Sequence, residues 1–430
     1  MIDIKLIRSD PKLVKTNLKK RDDKEKLKWV DEIIVLDEKW RSGLKQIDDL
    51  RHRRNQITQE ISQLKREKKP ISTQLKEVKE IPEKIRKLED QHQKIREKLD
   101  WYMFRIPNML HDSVPAGKDE GDNKVVRKWG TPPKFDFKPK NHLDILVDLG
   151  LIDQERANKI SGHGFYFFKN DLVLLDQALQ RYAVDFLTKK GYNLVYPPLM
   201  MRGKPYEGVI QLDDFKDVIY KIQDEDLYMI ATSEHPMAAL LAGEVLDKKN
   251  LPLKLVGVSP CFRKEVGAHG KYTKGLFRMH QFNKVEQFIF CLPEDSWKLH
   301  EELQKNAEEM YQALEIPYKV TNVCTGDIGD IAAKKYDIEV WMADGEYREA
   351  GSNSNCTDYQ ARRLGIKYRE QEGAPPLGHV HTLNNTAIAT SRMIVALLET
   401  HQKKDGSVGI PKALRPYMNG IKVLEKSSSV

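Results

Sequence analysis

The segment Phe262–Phe288, FRKEVGAHGKYTKGLFRMHQFNKVEQF, sets alternating charged and apolar residues at both ends of a Gly- and Lys-rich middle. Successive side chains of a strand point to opposite faces. If Pro260–Glu265 is one strand, Cys261, Arg263 and Glu265 share a face; if Phe277–Phe290 is another, His280, Phe282, Lys284 and Glu286 share one. Guanidinium, carboxylates and an aromatic ring then converge in one concavity. Such a surface suits a nucleotide together with a zwitterion, because a ring stacks on a base while guanidinium and carboxylate meet phosphate and ammonium. Between the strands, Gly267, Gly270 and Gly275 let the loop Val266–Leu276 fold over a ligand. An amphipathic hairpin with ion pairs on its solvent face would spell the same letters, so alternation alone leaves both readings open.

Around this segment, helical patterns such as Leu172–Leu187 alternate with short β-rich runs such as Tyr192–Tyr196 and Gln287–Cys291. The class this implies is α+β with an antiparallel sheet. Toward the N-terminus, His111–Lys140 is rich in Pro, Gly and charge without a sustained period, which predicts a linker over 111–140 and a second domain over 141–430.

Before that linker, apolar residues recur at steps of three, four or seven from Ile33 to Leu64 and again from Leu75 to Leu99. With Lys69-Pro70-Ile71-Ser72 as the break, these heptads predict an antiparallel coiled-coil hairpin within a domain over 1–110. Pro82 should bend the second helix, since it lacks an amide proton and crowds the preceding turn. Arg51, Arg53, Arg54, Lys65, Arg66, Lys68 and Lys69 face only Glu60 and Glu67 in the outer half of the hairpin. That excess favours a nucleic-acid partner, although a solvated face or a protein-docking rod has the same composition.

The chain of 430 residues carries a formal net charge of +8 with 32% charged residues, a mild bias toward polyanions. It has no apolar run near the ~18 residues needed to span a bilayer, and its start, MIDIKLIRSDPKLVKTNLKKR, lacks the h-region of a signal peptide. A cytoplasmic protein with no membrane segment is expected. Cys261, Cys291, Cys324 and Cys356 are scattered without a CxxC pair, which predicts reduced, mostly buried thiols.

The longer string Ser259–Phe288 closely resembles the second signature motif of class II aminoacyl-tRNA synthetases, in the form seen in the seryl family. Further strings in the same order are similar to that family: MIDIKLIRSDP, ATSEHPMAALLAGEVL, Tyr336–Tyr368 and His381–Met418. FRKEVGAHGK and LNNTAIATSR look closest to archaeal members. The resemblance implies a catalytic domain built on an antiparallel sheet with flanking helices. It also implies a ligase that activates L-serine with ATP and Mg²⁺ to seryl-adenylate, then passes serine to the 3′ end of tRNA(Ser), with tRNA(Sec) as a further candidate.

By the same resemblance, Arg263 grips the α-phosphate, Glu265 the adenine amino group, and Phe282 stacks on the purine. Arg278 and Arg392 hold the β- and γ-phosphates, and Glu349 and Ser352 ligate the metal. Arg263, Arg392 and Glu349 are thus the catalytic set. Thr232, Glu234, Arg263, Glu286, Asn384 and Thr386 are assigned to serine. Without the resemblance, Ser352 reads as a loop hydroxyl capping a turn, and Thr232 and Thr386 as ordinary strand packing. Thr188–Met200, TKKGYNLVYPPLM, resembles the first class II motif, from which a homodimer follows by analogy, and the basic hairpin residues become the tRNA-binding set. Gly351 and Asn353 stand where the commoner form ISSCSNCTD has Ser and Cys. Two competing readings remain for a chain with these letters: an amino-acid-activating relative that loads a carrier, and a non-catalytic RNA-binding scaffold.

Overall fold

The computed structural model describes residues 1–265 and 275–426. The chain divides into two compact units, Met1–Met109 and Leu110–Val430.

In the first unit, short helices α1 (Ile4–Ser9) and α2 (Pro11–Lys19) precede α3 (Lys24–Arg66) and α4 (Ser72–Arg105). The Asp23 carboxylate caps α3 by accepting from the backbone N–H of Glu25 and Lys26 at 3.0 and 3.1 Å. The heptad residues bury in two groups. Ile33, Leu36 and Leu99 join Ile7 and Leu18 at the root, while Ile47, Ile57, Ile81 and Ile85 form a separate outer cluster. Between them the seam loosens: Leu44 is exposed, and His92 stacks on Trp40 with centroids 5.3 Å apart. α4 runs on through Pro82. At the root, Asp37 is 1% exposed and is clamped by Arg8 (2.6 and 2.7 Å) and Arg41 (2.9 Å).

The second unit is built on an eight-stranded sheet. Its strands are β1 (Lys124–Trp129), β2 (Asn193–Val195), β3 (Leu253–Phe262), β4 (Gln281–Cys291), β5 (Tyr318–Asn322), β6 (Lys334–Trp341), β7 (Tyr347–Asn355) and β8 (His381–Ala389). They lie in the order β1-β5-β6-β7-β8-β4-β3-β2. All neighbours are antiparallel except β2 and β3, which run parallel, so the sheet is mixed at one edge rather than wholly antiparallel. The segment 111–140, expected as a linker, supplies edge strand β1. All six of its residues are exposed, so no burial period marked it in the sequence.

Strand alternation feeds two cores. Val256, Val285 and Ile289 pack with helices α5 (Asp171–Lys189), α7 (Ser296–Ala313) and α8 (Thr390–His401); Leu255, Phe288 and Phe290 pack on the opposite face with Tyr206, Val209 and Ile230. Helix α6 (Glu234–Ala239) lies over this second face, its Met237 in the same core. The strands β3 and β4 stop short of the expected bounds beside the loop: β3 ends at Phe262 rather than Glu265, and β4 begins at Gln281 rather than Phe277. Of the loop Val266–Leu276, residues 266–274 lie outside the described residues, Gly267 and Gly270 among them. Gly275 is described, with φ +84°, and a Cβ there would stand 2.4 Å from His142 Nε2 and 2.8 Å from Leu143, so only glycine fits. Among the described residues no helix is long and apolar enough to cross a membrane, and all four cysteines are free and buried.

Candidate active site

Along β4, Phe282, Lys284 and Glu286 share the face that Phe288 and Phe290 use for the core. Toward the start of the strand this face opens into a cavity of about 560 Å³. Register brings β8 to it: Thr386 lies opposite Glu286 and Asn384 opposite Phe288. Thr386 Oγ1 donates to Glu286 Oε2 at 3.2 Å, and Asn384 Nδ2 donates to Glu234 Oε1 at 3.1 Å. Thr232, just before α6, accepts the Glu234 backbone N–H at 3.1 Å. Arg263 leaves β3 with its Nε donating to the Ala231 carbonyl at 3.2 Å, and its guanidinium lies 5.3 Å from the Phe282 ring centroid. Apart from the core residues Phe288 and Phe290, all of these residues line the one cavity.

Two strand irregularities complete the wall. Residues i and i+3 of a regular strand face opposite ways, yet Glu349 and Ser352 both line the cavity. The β6–β7 register shifts between Ile338/Gly351 and Glu339/Glu349, which leaves Ala350 as the extra residue of a bulge and turns Glu349 to the Ser352 side. Ser352 Oγ then donates to Glu349 Oε1 at 3.4 Å, and Arg392 Nη1 at 3.0 Å. A matching shift between Thr386 and Ile388 on β8 leaves Ala387 extra and brings Ala389 to the cavity. Gly351 lines the floor, where a Cβ would stand 3.0 Å from that of Thr386. Asn353 points away, buried, with Nδ2 donating to the His300 carbonyl and Gln304 Oε1 at 3.0 and 3.2 Å. The change at 353 therefore serves packing against α7, and the one at 351 serves the approach of Thr386.

The electrostatics are uneven. Burial, then the nearby Glu286 charge, pushes the Glu234 carboxyl up to about 7, although Lys284 and Arg263 oppose this. Burial also raises Glu286. It would raise Glu349 too, but Arg392, Lys335 and Arg263 outweigh it and hold that carboxyl well below the usual range. The Glu349 side chain keeps 46% of its surface open to the cavity, so solvent screens part of this effect. His235 bonds the Tyr206 hydroxyl through Nδ1 at 2.7 Å; burial, reinforced by Lys284 and Arg263, lowers it to about 3, so it is neutral at pH 7.

Glu265 and Arg278 do not line this cavity. They pair with each other at 3.5 Å, flanking the segment 266–274. The structure adds His235 and Lys335 to the lining and seats Lys284 there on the face expected of it. Alternation in NKVEQF and in KKYDIEVW signalled the two lysines; nothing in HP marked His235.

On the hairpin, the basic residues fall into two groups. Arg51 bonds Glu89 (2.8 Å), Arg53 bonds Glu77 (2.8 and 3.0 Å) and Glu60 (3.0 Å), and Lys69 pairs with Glu67 (2.7 Å). Arg54, Lys65, Arg66 and Lys68 are exposed and have no acidic partner among the described residues.

Comparison with known proteins accounts for both units. The family model "Seryl-tRNA synthetase N-terminal domain" matches residues 1–110, and "tRNA synthetase class II core domain (G, H, P, S and T)" matches 219–401. A serine–tRNA ligase of Methanocella arvoryzae is 53% identical over 425 residues, covering 99% of this chain and 100% of the relative. The crystal structure of seryl-tRNA synthetase from Pyrococcus horikoshii complexed with ATP superposes with a TM-score of 0.94 at 51% identity, covering all of both chains. The cytoplasmic serine–tRNA ligase of Naegleria fowleri, in complex with AMP, gives a TM-score of 0.89 at 35% identity, covering 100% of this chain and 99% of that one. With relatives this similar along its whole length, and with both domains matched, the chain belongs to the seryl-tRNA synthetase family of class II aminoacyl-tRNA synthetases.

Proposed function

We propose that this protein is a serine–tRNA ligase, which joins L-serine to ATP as seryl-adenylate with release of pyrophosphate and then transfers serine to the 3′ end of tRNA(Ser). The observation that carries the reading is the convergence of Arg263, Glu286, Glu349, Thr386 and Arg392, from separate segments, on one cavity with an aromatic floor at Phe282. The serine carboxylate attacks the α-phosphorus, the bond to pyrophosphate breaks, and negative charge must be neutralised throughout. Arg263 is suited to the α-phosphate and Phe282 to the purine. Arg392 takes the outer phosphates. Glu265 and Arg278 are assigned to adenine and phosphate with the flanking segment.

Glu349 and Ser352 offer a carboxylate held ionised and a hydroxyl 3.4 Å from it, an oxygen pair that suits Mg²⁺ completed by phosphate and water. Held by Glu349 and Ser352, the ion would supply positive charge to offset that of the phosphates. Thr232, Glu234, Glu286, Asn384 and Thr386 surround the space for serine. A pocket built to bond the hydroxyl rejects alanine, by up to ~10⁴ to 10⁵ in comparable sites. The hairpin docks tRNA(Ser) by backbone and shape. A cytoplasmic homodimer completes the reading; Leu194 and Tyr196, 55% and 69% exposed along and just beyond β2, support a subunit contact there.

Pyrophosphate exchange with each amino acid in turn, followed by charging of tRNA(Ser) and tRNA(Sec) transcripts, tests the proposal. Exchange driven by serine alone and charging of tRNA(Ser) are expected. Exchange without serine, or none at all, would reject it.

A further inference from the structure

Lys284 is a buried cation on the wall of the cavity, 5% exposed, with Nζ 2.6 Å from Glu286 Oε2. The same carboxylate oxygen accepts from Thr386 Oγ1. The charged and titratable groups facing this ammonium are Glu286 on its own strand, Cys261 on β3, Arg263 just beyond β3, and Glu234 with His235 on α6. Burial keeps the Cys261 thiol protonated, and His235 is neutral. With Glu234 ionised, as an ammonium ligand requires, two carboxylates face two cations.

Ions removed from water are tolerated only when compensated, so the formal charge of a closed pocket selects the charge of its ligand. A balanced pocket suits a ligand whose own charges cancel. Without Lys284, two carboxylates would face Arg263 alone, which suits a ligand with one positive charge. We propose that Lys284 is a specificity-determining residue: its buried ammonium, seated on Glu286, sets the pocket's charge for a zwitterionic amino acid and turns away amines that lack a carboxylate. This rests on the serine reading above.

The test compares L-serine with ethanolamine, which keeps the ammonium and hydroxyl and lacks the carboxylate. Affinities are measured by calorimetry, without ATP, on the full-length wild type and on Lys284→Met, Lys284→Gln and Lys284→Arg. The wild type is expected to favour serine strongly. In Lys284→Met the ratio should move toward ethanolamine by at least about tenfold; Lys284→Gln, which keeps a donor to Glu286 without the charge, should follow it. Lys284→Arg should retain the wild-type ratio. Equal weakening of both ligands, an unmoved ratio, or no ethanolamine binding to either neutral variant would overturn the proposal. Should Lys284→Met fail to fold, Lys284→Gln carries the same comparison. A wild type that does not bind serine rejects the serine reading itself, whereas a serine-binding wild type with an unmoved ratio in the variants rejects only the role of Lys284.

Discussion

Glu349 and Ser352 are three residues apart on a strand and still touch, at 3.4 Å, inside one cavity. The bulge at Ala350 makes this possible, and it lets Arg392 reach the same carboxylate at 3.0 Å. Glu349→Gln keeps the shape and removes the charge. Serine-dependent exchange should fall at least about 100-fold, and Mn²⁺ binding in the presence of ATP, read by electron paramagnetic resonance, should weaken in parallel. Unaltered Mn²⁺ binding would remove Glu349 from the metal.

Arg263 bonds the Ala231 carbonyl through Nε, which leaves its terminal nitrogens for a phosphate. Arg263→Ala should nearly abolish exchange. Arg263→Lys should restore little of it, since an ammonium cannot hold a backbone carbonyl and bind phosphate with two bonds. Exchange at wild-type rates in either variant would contradict the assignment.

Glu234 titrates near 7 in the free protein, above its ordinary range. A carboxyl raised in this way makes the folded protein bind its proton more tightly than the unfolded chain does. Its contribution to stability is therefore largest at low pH and is lost as pH rises toward about 7. Binding an ammonium reverses the preference, because the ligand needs the ionised form. Affinity for serine should fall below pH 7 by up to about tenfold per unit, and Glu234→Gln should flatten that limb of the profile. A wild-type profile flat between pH 6 and 8 would count against contact between Glu234 and the ammonium.

The hairpin cations separate by partner. Replacing Arg54, Lys65, Arg66 and Lys68 with Gln should weaken tRNA binding and lower the salt slope by about one for each phosphate that is no longer neutralised. Arg53→Gln should disturb the helix pair more than the slope, because Arg53 spans from α3 to Glu77 of α4. Deleting Lys45–Leu88 removes the outer cluster of Ile47, Ile57, Ile81 and Ile85 but leaves the root core intact. Exchange should survive this deletion while aminoacylation collapses; equal loss of both would mean that the hairpin only supports the fold.

Asp37 gives the root an acid-sensitive lock. Burial would raise it, but hydrogen bonds from Arg8 and Arg41 prevail and hold it below its usual value. A depressed carboxyl stabilises the folded state above its ordinary range and loses that effect as pH falls through the lowered value. Asp37→Asn should cost about 2 to 4 kcal/mol, less than a fully buried pair since both arginines are partly exposed, and should shrink the acid-dependent part of unfolding followed by circular dichroism.

Much of this architecture could be read from the residues. Heptads located both long helices because each turn repeats the same burial, and the alternation from Phe282 to Glu286 named one cavity wall because a strand repeats every second residue. The misses have physical causes. β1 is wholly exposed and has no pattern to find. The parallel partner of β3 is only three residues long. Lys284 looked like an ordinary alternating charge, and only its burial distinguishes it from a surface ion pair. No spacing rule foretells that Ala350 is supernumerary, because a bulge shows itself through its partner strand.

Ala350 and Ala387 carry no chemistry, yet each shifts the parity of its strand beside the cavity. The length of these strands is thus inherited as strictly as the identity of any acid or base. Losing a single codon at either position would rotate the neighbouring functional groups into the core while leaving every one of them in the gene. A survey that exchanges residues one at a time keeps the strand length fixed, so it would report the packing around these two buried alanines and miss their effect on parity.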